Sequence, residues 1–267
     1  MKPIRHLRLL ALLLLLPVSS CSEETVGGSG AAVWTPQVLA SYPHDPAAFT
    51  QGLVYTDGEL YESTGLNGQS SLRRVELATG TVLDGLALDD AYFGEGLALV
   101  PEGDRLVQLT WTSNIGFVYA RASLEQVGSF SYPGEGWGLA YDAAGDRLAM
   151  SDGTATLRWL DPETFAERGR TEVRDGGRPV GMLNELEFAG GMLYANVLPT
   201  SRIARIDPAT GRVEAWIDCG ALRPPGTGPG AVLNGIAYDP AGERFFLTGK
   251  RWPTLYAVQF IAPAERR

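Results

Sequence analysis

The chain has 267 residues, of which 45% are hydrophobic and 20% are charged, and its formal net charge is −9. This length and composition are typical of one large β domain or two ordinary domains, and they exclude a globally disordered chain. No basic run follows the first twenty residues, which argues against binding to nucleic acid and against electrostatic binding to anionic lipid.

Residues 1–20 form a predicted secretory signal peptide. Three basic residues precede the apolar run Leu9 to Leu16, and Pro17 to Ser20 lead into Cys21. The run is too short to span a membrane. Its removal takes away three basic and no acidic residues, which leaves 19 Lys and Arg against 31 Asp and Glu and a net charge of −12.

The segment Val18-Ser19-Ser20-Cys21 resembles a bacterial lipobox, in which the cysteine becomes the first mature residue and carries lipid. Residues 21–32 are polar and glycine-rich, as expected of a tether that holds a domain off a membrane surface. We therefore expect an exported lipoprotein, anchored at Cys21 on the periplasmic side of a bacterial membrane. The alternative is a signal peptide with a cysteine near its cleavage site by chance.

The few cysteines and histidines of the mature chain limit its chemistry. If Cys21 carries lipid, Cys219 is the remaining thiol and no intrachain disulfide forms. His44 is the one histidine outside the signal peptide, so a three-histidine zinc site is excluded. A Ser-His-Asp triad would have to use this histidine, which precedes the repeats described next.

A repeat of about 45 residues runs through the rest of the chain. Its five copies begin "TQGLVYTDGELYESTG", "GEGLALVPEGDRLVQLT", "GWGLAYDAAGDRLAMSDG", "NELEFAGGMLYANV" and "NGIAYDPAGERFFLTGK". Measured from Gly52, Gly96, Gly138, Glu185 and Gly235, the spacings are 44, 42, 47 and 50 residues. Each copy predicts an apolar strand, a turn, an alternating second strand and further short strands.

Four short antiparallel strands per repeat are typical of a β-propeller blade. The last repeat offers three strands, whereas residues 33–42 form an extended segment with no partner in their own repeat. Pairing this segment with the last blade closes the ring and covers exposed sheet edges. We predict an all-β, five-bladed β-propeller over residues 33–262, with a six-bladed ring or an open sheet assembly as the alternatives.

One position in each repeat lies at the mouth of the predicted central channel, just before the innermost apolar segment. The five residues at this position are Gln51, Glu95, Trp137, Asn184 and Asn234. A packing position would be apolar in every repeat, so we expect these side chains to converge on a shared pocket. The alternative is a wet structural channel with ordinary polar turn residues.

Aromatic residues accompany the channel-mouth positions. Phe49 and Phe93 each lie two residues before one of them, Trp137 occupies one, and Trp111 is placed at the end of the second strand of its blade. Together with Glu95, a carboxyl group whose pKa we expect to be raised, these aromatic residues predict a binding or active site.

These segments resemble the glutaminyl-peptide cyclotransferases of the plant and bacterial type. The resemblance lies in "AFTQGL", "FGEGL", "EGWGLAYD", "LNELEF" with "IARIDPATG", and "LNGIAYDP" with "FLTGK", and it covers about residues 33–260. It implies a five-bladed propeller that converts N-terminal glutamine of peptides to pyroglutamate with loss of ammonia. It places Glu95 on the catalytic acid/base.

The resemblance also assigns the other site residues. Lys250 is expected to take part in catalysis, and the expected substrate-binding residues are Phe49, Gln51, Phe93, Trp111, Trp137 and Asn184. One position departs from the family, because Leu198 stands in "NVLPT" where these proteins commonly have a tryptophan. That departure puts one pocket wall in question and leaves the acid/base in place.

The expected chemistry is self-contained, because the substrate's own α-amine attacks its side-chain amide carbon. No cofactor is required, although a structural calcium ion in the channel is compatible with the family. The expected partners are peptide or protein N-termini that bear glutamine, and a closed propeller is expected to be monomeric. Two other functions stay open, a calcium-dependent lactonase-like hydrolase using Glu95, Asn184 and Asn234 as oxygen ligands, and a lipid-anchored propeller that only binds.

Overall fold

The computed structural model describes residues 30–264. The predicted signal peptide, Cys21 and most of the predicted tether lie outside this range. The described part is almost entirely β, with 22 strands and one short 3₁₀ turn. No helix in residues 30–264 is long and apolar enough to cross a membrane.

The strands follow one another through the chain with short turns between them. They are β1 (Ala32–Pro43), β2 (Thr50–Thr56), β3 (Glu59–Thr64), β4 (Ser71–Glu76), β5 (Val82–Ala87), β6 (Gly94–Val100), β7 (Arg105–Thr110), β8 (Ile115–Ala120), β9 (Gln126–Ser131), β10 (Leu139–Asp142), β11 (Arg147–Met150), β12 (Thr156–Leu160), β13 (Glu167–Glu172), β14 (Arg174–Asp175), β15 (Arg178–Pro179), β16 (Leu183–Ala189), β17 (Met192–Val197), β18 (Arg202–Ile206), β19 (Val213–Asp218), β20 (Leu233–Asp239), β21 (Arg244–Gly249) and β22 (Thr254–Ile261). The 3₁₀ turn covers Gly220–Leu222.

The strands pair into sheets that follow the sequence repeat. Strands β2 to β5, β6 to β9 and β10 to β13 form three four-stranded antiparallel sheets, each in chain order. An eight-stranded sheet has the order β16-β17-β18-β19-β1-β22-β21-β20, and β14 and β15 form a small hairpin. Each repeat therefore folds as a unit of local hairpins.

Strand β1 joins the two ends of the described chain. It pairs antiparallel with β22 from Thr35 to Pro43, as predicted for the segment at residues 33–42. Its first three residues also pair in parallel with β19, from Ala32 opposite Ala215 to Trp34 opposite Ile217. This second pairing was not predicted, and it merges two four-stranded halves into the eight-stranded sheet.

The first strands of the units form a closed ring. Contacts join β2 to β6, β6 to β10, β10 to β16, β16 to β20 and β20 back to β2. Glycines allow this approach, since a Cβ on Gly52, Gly96 or Gly138 would lie 2.0–2.5 Å from the backbone of the next inner strand. The recurring glycine in "QGL", "EGL" and "WGL" therefore reflects close packing around the ring.

The fourth unit has Glu185 at the position of these glycines, and its side chain bridges two other inner strands. Glu185 Oε1 accepts a hydrogen bond from Leu53 N at 3.3 Å, and Oε2 accepts one from Ile236 N at 2.7 Å. Burial and the nearby Glu187 raise the pKa of Glu185 well above its ordinary value, although the two backbone donors oppose the shift. Glu185 thus links the units inside the ring.

The hydrophobic core is divided among the interfaces between successive units. Each of its five clusters draws residues from two neighbouring sheets or sheet halves, and one cluster joins Leu53 and Leu60 of the first unit to Ala237 and Phe246 of the last. Burying these apolar faces against one another, at roughly 25 cal/mol per Å², stabilises the closed arrangement. The same packing fixes the inner strands that carry the site.

Candidate active site

A cavity of about 180 Å³ lies at one end of the inner strands, and all eight predicted site residues line it. The lining residues are Phe49, Gln51, Phe93, Glu95, Trp111, Trp137, Asn184, Leu198 and Lys250. A larger cavity of about 360 Å³ lies at the other end of the same strands and contains Glu187. We place the site in the smaller cavity because it combines four aromatic rings with a buried acid that is only partly hydrogen-bonded.

Glu95 is held inside the ring by strand β6, where 4% of the residue is exposed. Its Oε1 accepts a hydrogen bond from Gln51 Nε2 at 3.1 Å. Its Oε2 is buried and has no hydrogen-bond partner among the described residues. Burial raises the pKa of Glu95 well above its ordinary value of 4.5, Lys250 opposes that shift and Glu135 adds to it.

Gln51 orients this acid, and Asn234 holds Gln51. The side chain of Asn234 donates from Nδ2 to Gln51 Oε1 at 3.1 Å and to Thr50 O at 3.0 Å. Asn234 does not line the cavity. The expectation that all five channel-mouth side chains converge on one pocket is therefore wrong for Asn234, because its amide is turned back against β2.

Three aromatic rings form one wall by edge-to-face contact. The Phe49 and Phe93 ring centroids lie 6.1 Å apart at 87°, and those of Phe93 and Trp111 lie 5.5 Å apart at 65°. A Cβ on Gly65 would clash with the Phe93 ring at 2.2 Å, so the glycine gives that ring its place. Trp111 follows β7 directly, and 40% of it is exposed.

Trp137 forms a second wall from the loop before β10. Its indole packs over Gly153, where a Cβ would lie 2.8 Å from the ring. Its Nε1 donates to Glu135 Oε2 at 2.8 Å, and Trp111 Nε1 donates to the same oxygen at 2.7 Å. Sequence reasoning missed Glu135, although it stands in the quoted segment "EGWGLAYD".

Lys250 follows the end of β21 and is buried beneath Phe49. Its Nζ lies 4.8 Å from the centroid of the Phe49 ring, within cation–π range. Burial lowers the pKa of Lys250, and the charge of Glu95 opposes the shift. The backbone N–H of Arg251 donates to Ala48 O at 2.6 Å, which ties this turn to the segment that carries Phe49.

Asn184 and Leu198 complete the lining from the fourth unit. The buried Oδ1 of Asn184 has no hydrogen-bond partner among the described residues. Its main-chain carbonyl accepts from Ser151 Oγ at 2.7 Å, which fixes the strand beside Gly138. Leu198, the residue that departs from the family pattern, is half-buried in the cavity wall.

Behind the cavity, a network of charged side chains fixes the segment that carries Phe49. His44 Nε2 lies 3.0 Å from Glu62 Oε1, and its Nδ1 lies 2.6 Å from Trp252 O. Arg73 donates to Glu62 Oε2 from both Nε and Nη2, at 3.2 and 2.6 Å. His44 therefore belongs to a structural network rather than to a nucleophilic triad.

Within residues 30–264, no group of three or more His, Cys, Asp or Glu side chains is placed to hold a metal ion. The groups that the cavity offers are one carboxyl, two amides, one ammonium and four aromatic rings. This set suits a neutral or cationic ligand with an aliphatic part and a polar end. It can enclose such a ligand and move a proton at Glu95.

Comparison with known proteins gives a consistent result. The family model described as glutamine cyclotransferase matches residues 9–260. A protein of Arabidopsis thaliana named glutaminyl-peptide cyclotransferase is 46% identical over 230 residues, which are 84% of this chain and 70% of that protein.

Among solved structures, the crystal structure of Myxococcus xanthus glutaminyl cyclase is similar to this fold with a TM-score of 0.81 and 39% identity. The match covers 87% of this chain and 99% of the Myxococcus chain. Sequence and structure thus agree over nearly all of the described residues. The chain belongs to the glutamine cyclotransferase family.

Proposed function

We propose that this chain is a glutaminyl-peptide cyclotransferase, an acyltransferase of the aminoacyl type. It converts the N-terminal glutamine of peptides and proteins to pyroglutamate and releases ammonia. The observation that carries the proposal is the unpartnered Oε2 of Glu95, buried within an aromatic cavity in a member of this family. The names of the Arabidopsis and Myxococcus relatives support the same activity.

The cavity walls hold the substrate in a reactive pose. Phe49, Phe93, Trp111 and Trp137 enclose the aliphatic part of glutamine, so that the α-amine lies against the side-chain amide carbon. Well-oriented intramolecular reactions gain on the order of 10⁵ M or more in effective molarity. The same rings exclude water that would hydrolyse the amide instead.

Glu95 carries the proton traffic. As the α-nitrogen forms its bond to the amide carbon, Glu95 takes a proton from that nitrogen. It then gives a proton to the amide nitrogen, the bond between this nitrogen and the amide carbon breaks, and ammonia leaves. The raised pKa of Glu95 brings it closer to that of an α-ammonium, about 7.7 to 8.0, so the proton transfer is less uphill.

Asn184 and Lys250 stabilise the negative charge that develops on the amide oxygen. Both line the cavity with Glu95, and Lys250 brings a positive charge into a water-poor space. Gln51 already uses one N–H on Glu95, so its main role is to orient the acid. The reaction written in this way needs no metal and no cofactor.

For the architecture, we propose that the sheets are the blades of a five-bladed propeller. Three four-stranded sheets and the two halves of the eight-stranded sheet support five units. The cyclic contacts of the inner strands and the five interface clusters support closure. The cavity then lies at one mouth of the central channel.

We also propose that the enzyme is exported and held at a membrane by lipid on Cys21. The support is the segment Val18 to Cys21 and the polar residues that follow. Cells grown with labelled palmitate should yield a labelled, membrane-bound protein, and Cys21→Ser should yield an unlabelled one. Label on the Cys21→Ser protein would contradict the proposal.

The activity is tested with the purified protein and a glutamine-initiated dipeptide. We expect ammonia release together with formation of the pyroglutamyl product. Glu95→Gln should lower kcat by roughly 10² to 10⁴, because it removes the acid/base, while circular dichroism shows an intact fold. Glu125→Gln, at an exposed turn outside the cavity, is the matched control and should retain wild-type activity.

Three outcomes would contradict the proposal. Full activity in Glu95→Gln would show that Glu95 is not the acid/base. Loss of activity with EDTA, joined with hydrolysis of lactones, would favour the calcium-dependent hydrolase. Binding of the dipeptide without turnover, with equal affinity in wild type and Glu95→Gln, would favour a propeller that only binds.

A further inference from the structure

A carboxylate that lines no part of the cavity holds two of the cavity's walls together. Glu135 lies in the loop between β9 and β10, and its Oε2 accepts the indole N–H of Trp111 at 2.7 Å and that of Trp137 at 2.8 Å. The two indoles come from different sheets, one following β7 and the other preceding β10. One oxygen atom therefore sets the distance between the two walls.

The backbone reinforces this connection. Gly136 N donates to Trp111 O at 3.0 Å, next to the side-chain contacts. A Cβ on Gly136 would lie 2.5 Å from the hydroxyl of Tyr132, so the glycine lets the loop pack closely. The loop that carries Glu135 is thus fixed before its side chain reaches the indoles.

Trp111 depends on this contact more than a core tryptophan would. It is 40% exposed, and its ring meets Phe93 by one edge. A large aromatic side chain with so little packing can populate several rotamers, whereas a charge-assisted hydrogen bond selects one. In that rotamer the indole lines the cavity.

We infer that Glu135 is a positioning residue for cyclisation, which it serves by clamping the indoles of Trp111 and Trp137 as adjoining walls around the substrate's first residue. This inference rests on the proposed function. The clamp sets how tightly the glutamine side chain is folded against its own α-amine, and misplacement of about 1 Å can lower a rate on the order of 10²-fold.

The clamp has a second consequence for Glu95. The negative charge of Glu135 adds to the effect of burial in raising the pKa of Glu95. Glu135→Gln keeps an amide oxygen that can accept the indole hydrogens but removes the charge. Glu135→Ala removes both, so the two variants separate geometry from electrostatics.

The first measurement needs no substrate. The chain has six tryptophans, and their indole N–H resonances can be assigned with Trp111→Phe and Trp137→Phe. Glu135→Ala should move the resonances of both residues upfield, because their hydrogen bonds are lost. Asp175→Ala is the matched control, since Asp175 Oδ2 accepts the indole N–H of Trp216 at 2.9 Å away from the cavity, and it should move only the Trp216 resonance.

The second measurement is steady-state kinetics with a glutamine-initiated dipeptide. Glu135→Ala should lower kcat/KM on the order of ten- to a hundredfold, the usual effect of losing hydrogen bonds to a charged group. Glu135→Gln should retain most of the wild-type kcat/KM. The acidic limb of its profile of kcat/KM against pH should lie at lower pH than in wild type. Asp175→Ala should keep the wild-type kcat/KM.

The outcomes separate the two hypotheses. Absence of cyclisation by the wild-type protein overturns the proposed function. Unchanged Trp111 and Trp137 resonances in Glu135→Ala, or a kcat/KM equal to that of Asp175→Ala, overturn the clamp. Should Glu135→Ala fail to fold, Glu135→Gln decides. A neutral amide oxygen accepts the two indole hydrogens more weakly than a carboxylate does, so both resonances should move part of the way upfield, and resonances of Trp111 and Trp137 that do not move contradict the inference.

Discussion

Two buried glutamates on neighbouring sheets, Glu62 in β3 and Glu95 in β6, differ in how many donors surround them. Glu62 is bound by His44, Arg73 and Thr50, so both of its oxygens are satisfied. Glu95 has one donor on Oε1 and none on Oε2 among the described residues. The two carboxyl groups are thus similarly buried but differ in the number of hydrogen-bond donors around them.

The difference decides the charge state of each group. Burial by itself would raise the pKa of Glu62, but the charges and hydrogen bonds of His44 and Arg73, with Thr50, lower it to about 2. Burial raises the pKa of Glu95 because no comparable set of donors opposes it. A buried carboxyl is structural where donors surround it and is available for proton transfer where they do not.

The two groups are also physically connected. Thr50 donates to Glu62, while the next residue, Gln51, donates to Glu95. Ser63, next to Glu62, donates its hydroxyl to the main-chain carbonyl of Glu95. The satisfied network therefore holds in place the strand that presents the unsatisfied acid.

The largest expected effect on stability comes from breaking the satisfied network. Glu62→Gln leaves the buried His44 without its carboxylate and the partly buried Arg73 with Asp45 alone. Loss of one partner from a buried ion pair costs about 3–5 kcal/mol. Urea unfolding should show this decrease in the free energy of unfolding. A decrease below about 1 kcal/mol would show that the network adds little to stability.

The next effect concerns the cation that faces Glu95. Lys250→Met removes the proposed donor to the developing oxyanion, and loss of such a donor typically lowers kcat on the order of 10²-fold. It also removes the charge that opposes the raised pKa of Glu95, so the acidic limb of kcat/KM should move to higher pH.

Arg251→Met is the comparison variant for Lys250→Met, since the exposed Arg251 guanidinium lies 5.5 Å from the same Phe49 ring. It should lower kcat/KM less than Lys250→Met does. The pH profiles of both variants, measured with a glutamine-initiated dipeptide, give the result. A limb that stays in place in Lys250→Met would show that the Lys250 charge does not act on Glu95.

Much of this arrangement is local in sequence, which is why the sequence predicts it. Hairpins of neighbouring strands make each unit, so the repeat, the closing strand and the alignment of Gln51, Glu95, Trp137 and Asn184 can be inferred from the order of the residues alone. The aromatic residues beside these positions can also be found from the sequence, and the resemblance to the family then supplies Lys250. The eight predicted residues meet in one cavity, and their roles stay predictions.

The parts that sequence reasoning missed depend on non-local geometry. Glu62 lies directly across from Arg73 in the β3–β4 hairpin, so this pair could have been found from the strand register. Its partner His44 is held by a contact with the main-chain carbonyl of Trp252, 208 residues further along the chain, and strand register does not predict such a contact. The contacts of Glu135 with two indoles depend on the conformation of two loops, which the sequence does not give. The alignment of the repeats likewise does not show that the amide of Asn234 turns towards Gln51.

A smaller effect is expected when the unsatisfied acid is changed. Glu95→Gln keeps an oxygen to accept from Gln51 and removes an acid that is costly to ionise in this cavity. Its free energy of unfolding should stay within about 1 kcal/mol of wild type. A loss as large as that in Glu62→Gln, measured in the same urea series, would contradict the contrast between the two glutamates.

The smallest effect is a pH dependence of stability that His44 imparts. Burial works against its charge, but the charge and hydrogen bond of Glu62 raise the pKa of His44 above its ordinary value of 6.5. Because the folded-state pKa is the higher one, the stabilising contribution of the charged histidine is complete below pH 6.5 and is lost as pH rises through the folded-state value.

Urea unfolding of wild type and His44→Asn at several pH values should show a difference in the free energy of unfolding that becomes smaller at alkaline pH. Comparing the two proteins at each pH cancels the titration of Glu187, whose pKa burial raises to about 8. A difference that stays constant with pH would mean that His44 is neutral in the network, and that Arg73 and Thr50 suffice to hold Glu62 ionised.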